Sequence, residues 1–148
     1  TGIRRNPEEC DYADEVLSIN ALEELLPLTD FLVMVLPDSE STRDIVDANF
    51  LKKMNPSSML INVGRGSAIV EDDLADALNN GIIAAAALDT TKNEPLEKES
   101  KLWGAKNCFI TPHDSAHSLM SLPRSFNLFL ENVSNLKDSQ PIKNLWEA

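Results

Sequence analysis

The chain has 148 residues, a net charge of −11 and 43% hydrophobic residues, which is typical of one globular domain with a real core rather than of a disordered chain. The acidic balance disfavours a nucleic-acid groove or an anionic membrane surface as a partner, and no apolar run is long enough to span a bilayer. Cys10 and Cys108 are too few for a disulfide framework or a zinc site, so we expect a cytoplasmic protein with reduced thiols.

The first half of the chain alternates helical and strand patterns. Leu22, Leu25 and Leu26 make the apolar stripe of a helix, and the next run is apolar at every position until Pro37, which favours a strand buried on both faces. A helical pattern and a second apolar run follow, and the latter ends in Gly-Arg-Gly. The predicted elements are a helix at 19–28, a strand at 31–36, a helix at 42–54 and a strand at 59–63.

The second half continues the alternation. The helix predicted at 71–80 has acidic residues in its first turn, which suits the helix dipole, and Gly81 is a C-cap candidate. Strands are predicted at 82–88 and 108–111. A last helix is predicted at 116–136, where Pro123 should bend the helix or mark its true start.

Helices that alternate with buried strands predict an α/β fold with a parallel sheet. Several polar residues come just after predicted strand ends, and in open α/β sheets ligands bind at the carboxyl ends of the strands. We therefore expect one functional rim. Its candidate residues are Asp38, Arg65, Asp89, Glu94 and His113.

Three of these residues have the chemistry of an acid–base site. A guanidinium such as that of Arg65 binds a carboxylate through two parallel hydrogen bonds. A carboxylate such as that of Glu94 beside His113 makes an acid–base pair, because it stabilises the imidazolium. Taken singly, Arg65 is also explained as a solvated arginine in a two-glycine turn and His113 as a capped loop histidine, and Glu94 is better explained as an ordinary loop carboxylate. Only their common position on one rim favours a site.

Three stretches in order, "LPLTDFLVMVLPDSEST", "INVGRGSAIVEDDLADALNNG" and "AAAALDTTKNEPLEKESKLWGAKNCFITPH", resemble the D-isomer-specific 2-hydroxyacid dehydrogenases, in particular the glyoxylate/hydroxypyruvate reductase and phosphoglycerate dehydrogenase-like branch. The resemblance covers nearly the whole chain. It implies that Arg65 anchors the substrate and polarises its carbonyl, that His113 is the acid–base histidine, and that Glu94 is its partner. His117 matches no family role.

The resemblance also implies an incomplete Rossmann-like domain that binds NAD or NADP and no metal. At the end of the strand that opens the chain, Arg4 and Arg5 suit a 2′-phosphate and favour NADPH, although a basic surface pair is about as probable on sequence alone. Asp89 is implied as a contact at the nicotinamide end. The full set of expected cofactor contacts is Arg4, Arg5, Leu36, Pro37, Thr42, Val63, Gly64, Arg65, Asp89 and His113.

The chain departs from the family pattern beside the expected site. Thr90 and Thr91 stand where family members commonly carry an apolar pair, and Asp114 stands where they usually have a small or apolar residue. These differences bear on substrate preference more than on reaction type.

No G-x-G-x-x-G phosphate-binding loop occurs among the 148 residues. The resemblance therefore implies that the first Rossmann strand, its loop and the substrate domain are missing, with a partial nucleotide-binding domain at 1–115 and a helix and tail at 116–148. In the 3-2-1-4-5-6 strand order the first strand is central, so residues 1–4 should not pair with the strand at 31–36 and should lie roughly 9–10 Å from it.

The expected function is NAD(P)-dependent reduction of small 2-oxo acids to D-2-hydroxy acids, with a homodimer in the full-length protein and little activity in the isolated piece. Two alternatives stay open: a non-catalytic NAD(P)-sensing regulatory or scaffold module, and an inert fragment. The sequence does not specify the side chain of the 2-oxo acid.

Overall fold

The chain divides into two units, Thr1–His113 and Asp114–Ala148. Four parallel strands form the main sheet of the first unit. The computed structural model describes residues 1–8 and 10–144, so the last four residues of the predicted tail lie outside the described residues. The strands lie side by side in chain order with parallel register. They are β3 (Phe31–Met34), β4 (Met59–Asn62), β5 (Ala85–Leu88) and β6 (Cys108–Ile110). The α/β, Rossmann-like sheet predicted from the sequence is confirmed.

The two faces of this sheet differ in burial. Alternate residues of the strands, such as Leu60 and Ala86, are fully buried beneath the helices of the unit. On the opposite face Phe31 is 67% exposed, Val33 53% and Phe109 65%. The prediction that the strand at 31–36 is buried on both faces is therefore wrong for the described residues. Apolar residues at every position of the strand do not guarantee that both faces are covered.

A second sheet contains only β1 (Gly2–Arg4) and β2 (Val16–Ser18), paired in parallel. β2 was not predicted from the sequence. Within the described chain β1 pairs with β2 and not with β3, as predicted. A cavity of about 370 Å³ lies between the two sheets, with Ile3 on one side and Phe31, Val33 and Val35 on the other.

The helices of the first unit pack on the buried face of the main sheet. The predicted helix at 19–28 is present as α1 (Leu22–Leu25) between two single turns of 3-10 helix. The helix predicted at 42–54 is wrong in extent, because only α2 (Ala48–Leu51) is helical. Asp47 caps its start by accepting a hydrogen bond from the Phe50 N–H, and the preceding residues form turns and a bridge between Val46 and Ile69.

The helix predicted at 71–80 is confirmed as α3 (Glu71–Asn79). Gly81 follows it with a φ of 69°, in the left-handed region where a helix commonly ends at glycine. The strands predicted at 82–88 and 108–111 are shorter in the structure, because regular pairing begins only at Ala85 and ends at Ile110.

The second unit consists mainly of α4 (Ser121–Lys137). Pro123 lies in its first turn, so the proline marks the true start of the helix rather than a bend within it. Apolar side chains of α4, including Phe126 and Phe129, are exposed. Within the described residues, no helix is both long and apolar enough to cross a membrane.

Candidate active site at the strand ends

Arg65 lies in a tight turn that directly follows β4. The turn begins at Asn62, whose side chain is 0% exposed. Its Oδ1 accepts a hydrogen bond from the Gly64 N–H, and its Nδ2 donates to the Arg65 carbonyl oxygen, both at 3.0 Å. One buried amide therefore holds the backbone on both sides of the Gly64–Arg65 peptide.

Two glycines let this turn fit between its neighbours. A Cβ atom at Gly64 would lie 2.7 Å from the backbone N and O of Leu36, and one at Gly66 would lie 2.0 Å from the carbonyl carbon of Thr91. Real Cβ atoms essentially never approach other atoms within 3.0 Å. Arg65 is thus held between the loop after β3 and the loop after β5.

Charged groups on both sides of Arg65 respond to its guanidinium. Hydrogen bonds from Arg43 and Ser67 lower the pKa of Asp38, and the charge of Arg65 contributes in the same direction. The same charge also contributes to the lowered pKa of Glu94. Arg65 therefore lies within electrostatic reach of Glu94. Its own Nη1 donates to the Gly64 carbonyl oxygen at 2.8 Å.

Glu94 and His113 form a direct pair. The Nδ1 atom of His113 lies 2.8 Å from Oε2 of Glu94, and the Thr91 N–H donates to Oε1 at 3.2 Å. The hydrogen bond from His113 is the main cause of the lowered pKa of Glu94, with smaller contributions from Thr91 and from the charges of His113 and Arg65; partial burial opposes them. Glu94 is accordingly a carboxylate at neutral pH.

An ionised carboxylate only accepts hydrogen bonds, so Nδ1 of His113 carries the proton in this pair. The other ring nitrogen, Nε2, is then the atom that gains or loses a proton. His113 has a φ of 56°, in the left-handed region that residues other than glycine seldom adopt. Such strained backbone clusters at active sites, where the surrounding structure has to maintain it.

A cavity of about 410 Å³ opens beside this pair. Besides Glu94 and His113 its walls are largely apolar and include Leu96, Trp103 and Ile110. This volume is in the usual range for small-molecule sites. The nearly buried Asp89 also lines it, and its Oδ1 accepts a 2.6 Å hydrogen bond from the Thr111 hydroxyl.

A second group of predicted residues lies around the ends of β1 and β3. Arg5 donates from Nη2 to the Ser41 hydroxyl at 2.8 Å. The Thr42 hydroxyl donates to the Pro37 carbonyl oxygen at 2.7 Å and closes the turn after β3. Val63 donates its N–H to the Met34 carbonyl oxygen. Arg4, which ends β1, is exposed.

The predicted site residues therefore fall into two groups. The structure brings Glu94, His113 and Asp89 to one cavity, with Arg65 near them, whereas Arg4 ends β1 of the second sheet and Arg5 follows it. Asn62 and Thr111, which hold Arg65 and Asp89, were not predicted as site residues. The only sequence signal for either was its position at a strand end.

Two other reactive side chains, His117 and Cys108, are not among the residues that line the cavity. His117 contacts Asp114 in the second unit. Burial, with a smaller effect of the Glu71 charge, raises the pKa of the Cys108 thiol to about 11, so this cysteine is a poor nucleophile at neutral pH. Among the described residues no group of three or more histidine, cysteine or carboxylate side chains could hold a metal ion.

Residues 1–115 match the family described as "D-isomer specific 2-hydroxyacid dehydrogenase, NAD binding domain". The chain belongs to this family, and its matching residues fall in the family's NAD-binding domain. It is 36% identical over 135 residues to a hydroxypyruvate reductase of Blautia hydrogenotrophica, covering 91% of this chain and 40% of that protein.

Solved structures agree with this assignment. A family member from Aeromonas salmonicida superimposes with a TM-score of 0.87 at 37% identity, over 99% of this chain and 46% of that one. An NADPH-dependent glyoxylate/hydroxypyruvate reductase from Sinorhizobium meliloti, solved with NADP and sulfate, gives a TM-score of 0.86 at 29% identity, over 99% and 47%. The chain thus spans less than half the length of each of these relatives.

Proposed function

We propose that the natural polypeptide in which this chain occurs reduces small 2-oxo acids of the glyoxylate and hydroxypyruvate type to D-2-hydroxy acids, with NADPH as the preferred reductant. The observation that carries the proposal is the 2.8 Å contact between His113 Nδ1 and Glu94 Oε2, beside a cavity of about 410 Å³ and within reach of the charge of Arg65. Homologues named as reductases of such acids support it.

The residues present suit the two ends of a dinucleotide. Asp89, nearly buried at the end of β5, offers a carboxylate to the nicotinamide end, and Arg5 offers a guanidinium beside the Ser41 hydroxyl to a 2′-phosphate. Asp89 follows β5 of the main sheet, and Arg5 follows β1 of the second sheet. The glycine-rich phosphate loop is not among the 148 residues. When bound, the nicotinamide supplies a hydride to the carbonyl carbon.

The chain's own residues supply the proton and the binding charge. Protonated His113 donates from Nε2 to the carbonyl oxygen, while Glu94 holds Nδ1–H and stabilises the imidazolium. Arg65 binds the substrate carboxylate and stabilises the negative charge that develops on the oxygen. The cavity beside the pair is largely apolar, so it offers few competing polar groups to the bound substrate.

The two histidines of the chain provide a matched test. The natural polypeptide would be assayed with NADPH and NADH against glyoxylate, hydroxypyruvate and longer 2-oxo acids. His113→Ala should lower kcat by roughly 10²–10⁴-fold, as expected for loss of a general acid. His117→Ala should leave kcat unchanged. Equal activity of the two variants would refute the assignment of His113.

The homodimer and the cytoplasmic location stay predictions from the resemblance and the composition.

A further inference from the structure

Asn62 is the only fully buried amide side chain among the described residues, and both of its ends are used within the turn that carries Arg65. Its two hydrogen-bond partners lie on different peptide groups. The Gly64 N–H belongs to the peptide before Gly64, and the Arg65 carbonyl belongs to the peptide after Arg65. The peptide between them carries the carbonyl oxygen that accepts a hydrogen bond from the Arg65 guanidinium.

This arrangement links the amide to the direction of the guanidinium. Gly64 has no Cβ atom and is therefore free to adopt many backbone conformations when unconstrained. The amide removes that freedom by holding the peptides on both sides of the Gly64–Arg65 unit. The intervening carbonyl is thereby oriented, and the Arg65 side chain is aligned through its 2.8 Å hydrogen bond to that carbonyl.

We infer that Asn62 is a positioning residue for the reaction: its buried amide sets the backbone of the turn so that the Arg65 guanidinium faces the carboxylate of the 2-oxo acid. The inference rests on the proposed function, because it assigns Asn62 a task in binding that substrate. Asn62 acts only through Arg65.

Only a side chain that donates and accepts at the same time meets the needs of both partners. An ionised aspartate would still accept from the Gly64 N–H, but its second oxygen would face the Arg65 carbonyl oxygen without a proton between them. A protonated aspartate would restore the donor. The function of Asn62→Asp should therefore recover as the pH falls through the pKa of the new carboxyl, which burial raises.

The charged groups near residue 62 are the same in the wild-type protein and in Asn62→Asp. Arg65 is in the turn itself, Asp38 follows β3, and Asp89 lies at the end of β5, where its N–H donates to the Asn62 carbonyl oxygen. Any pH dependence of the reaction itself is also common to both. The informative quantity is thus the ratio of variant to wild-type kcat/KM at each pH.

The experiment measures kcat and KM for hydroxypyruvate and NADPH from pH 5 to 9 in the natural full-length polypeptide. At high pH, Asn62→Asp should lose roughly 10²-fold in kcat/KM for hydroxypyruvate, the effect of misplacing a binding group by about 1 Å. The KM for NADPH should rise less than the KM for hydroxypyruvate, because Arg5, the group proposed for the 2′-phosphate, lies outside this turn beside Ser41. The ratio to wild type should rise as the pH falls, whereas the ratio for Asn62→Ala should be flat.

Two further variants keep the test decisive. Asn62→Ser retains a short acceptor for the Gly64 N–H without reaching the Arg65 carbonyl, so it should fold and still raise the KM for hydroxypyruvate. Ser58→Ala removes a fully buried hydroxyl that has no hydrogen-bond partner in the described chain, at the other end of β4, and should leave all kinetic constants unchanged.

The experiment distinguishes a failure of the inference about Asn62 from a failure of the proposed function. If wild type and Ser58→Ala reduce 2-oxo acids and the folded Asn62 variants match them, with a flat pH ratio, Asn62 has a structural role only and the inference is overturned. If wild type itself reduces no 2-oxo acid, the proposed function fails and the inference fails with it.

Discussion

Replacing Gly66 with alanine should both destabilise the fold and disable the turn that carries Arg65. The new Cβ atom would lie 2.0 Å from the Thr91 carbonyl carbon, 2.2 Å from its oxygen and 2.5 Å from the Lys92 nitrogen. All three are backbone atoms, so no flexible side chain can move aside. Reaching even the closest tolerated contact requires the two loops to separate by roughly 1 Å, and such overpacking costs about 3 kcal/mol, the upper part of the usual range.

The same displacement predicts the loss of activity. A shift of about 1 Å in a substrate-binding group reduces kcat/KM by roughly 10²-fold, so Gly66→Ala should lose that much with hydroxypyruvate even where the protein is fully folded. Urea unfolding at constant m-value measures the stability, and steady-state kinetics measure the second effect.

Gly104 provides the matched control. A Cβ atom there would meet nothing within 4 Å, and its φ is not in the left-handed region. Gly104→Ala should therefore change the free energy of unfolding by no more than about 0.5 kcal/mol and leave kcat/KM intact. A Gly66→Ala protein with the unfolding midpoint and activity of Gly104→Ala would refute the argument from close packing.

Arg65→Ala should lower kcat and raise the KM for the 2-oxo acid together, because the guanidinium is proposed to act in the ground state and in the transition state; near-normal kinetics would remove it from the mechanism. Replacing Arg4 and Arg5 with glutamine should erode the preference for NADPH over NADH, since each charge-assisted bond to a 2′-phosphate contributes roughly 1.5–3 kcal/mol. An unchanged ratio of the kcat/KM values for the two cofactors would show that the pair is only surface charge. The lowered pKa of Glu94 means that its ionised form stabilises the fold at neutral pH, and this contribution is lost as the pH falls below its ordinary value of 4.5 towards the lowered one. Glu94→Gln should therefore lose less stability than wild type on acidification, as measured by urea midpoints at pH 7 and pH 3; parallel curves would count against a role of the Glu94 charge in stability.

Helix α3 shows what local sequence can predict. Glu71, Asp72 and Asp73 occupy its first turn and Gly81 follows its end, so propensity, dipole and termination signals agree. The region at 42–54 has no such agreement. There Asp47 offers a helix cap in the middle of the apolar pattern, Val46 forms a bridge to Ile69, and the residues before it form turns.

Strand β2 was missed for a related reason. Its three residues, Val16–Ser18, are followed at once by a helical turn and carry too short a pattern to be recognised. They form a strand because β1 lies beside them with matching register. Pairing of this kind depends on tertiary structure, which single-sequence periodicity does not contain.

The candidate site likewise contains residues that the sequence could identify and residues whose contacts depend on tertiary structure. Arg65, Glu94 and His113 could be named because each follows a predicted strand, and parallel strands place their carboxyl ends at one edge of the sheet. Asn62 and Thr111 could not be assigned their contacts, because a buried amide or hydroxyl at a strand end has many possible partners. In the folded chain the Asn62 side chain holds the backbone next to Arg65, and the Thr111 hydroxyl holds the carboxylate of Asp89.

β3 is exposed on one face and is also the edge strand of the main sheet. The Met59 N–H donates to the Asp30 carbonyl and the Val63 N–H to the Met34 carbonyl, so the even-numbered residues of β3 direct their hydrogen-bonding groups towards β4. In a parallel ladder the odd-numbered residues then direct theirs away from β4, towards the 370 Å³ cavity and β1. The apolar pattern predicted burial of both faces of this strand, which is wrong for one face, and a side-chain pattern carries no information about whether a strand lies at an edge.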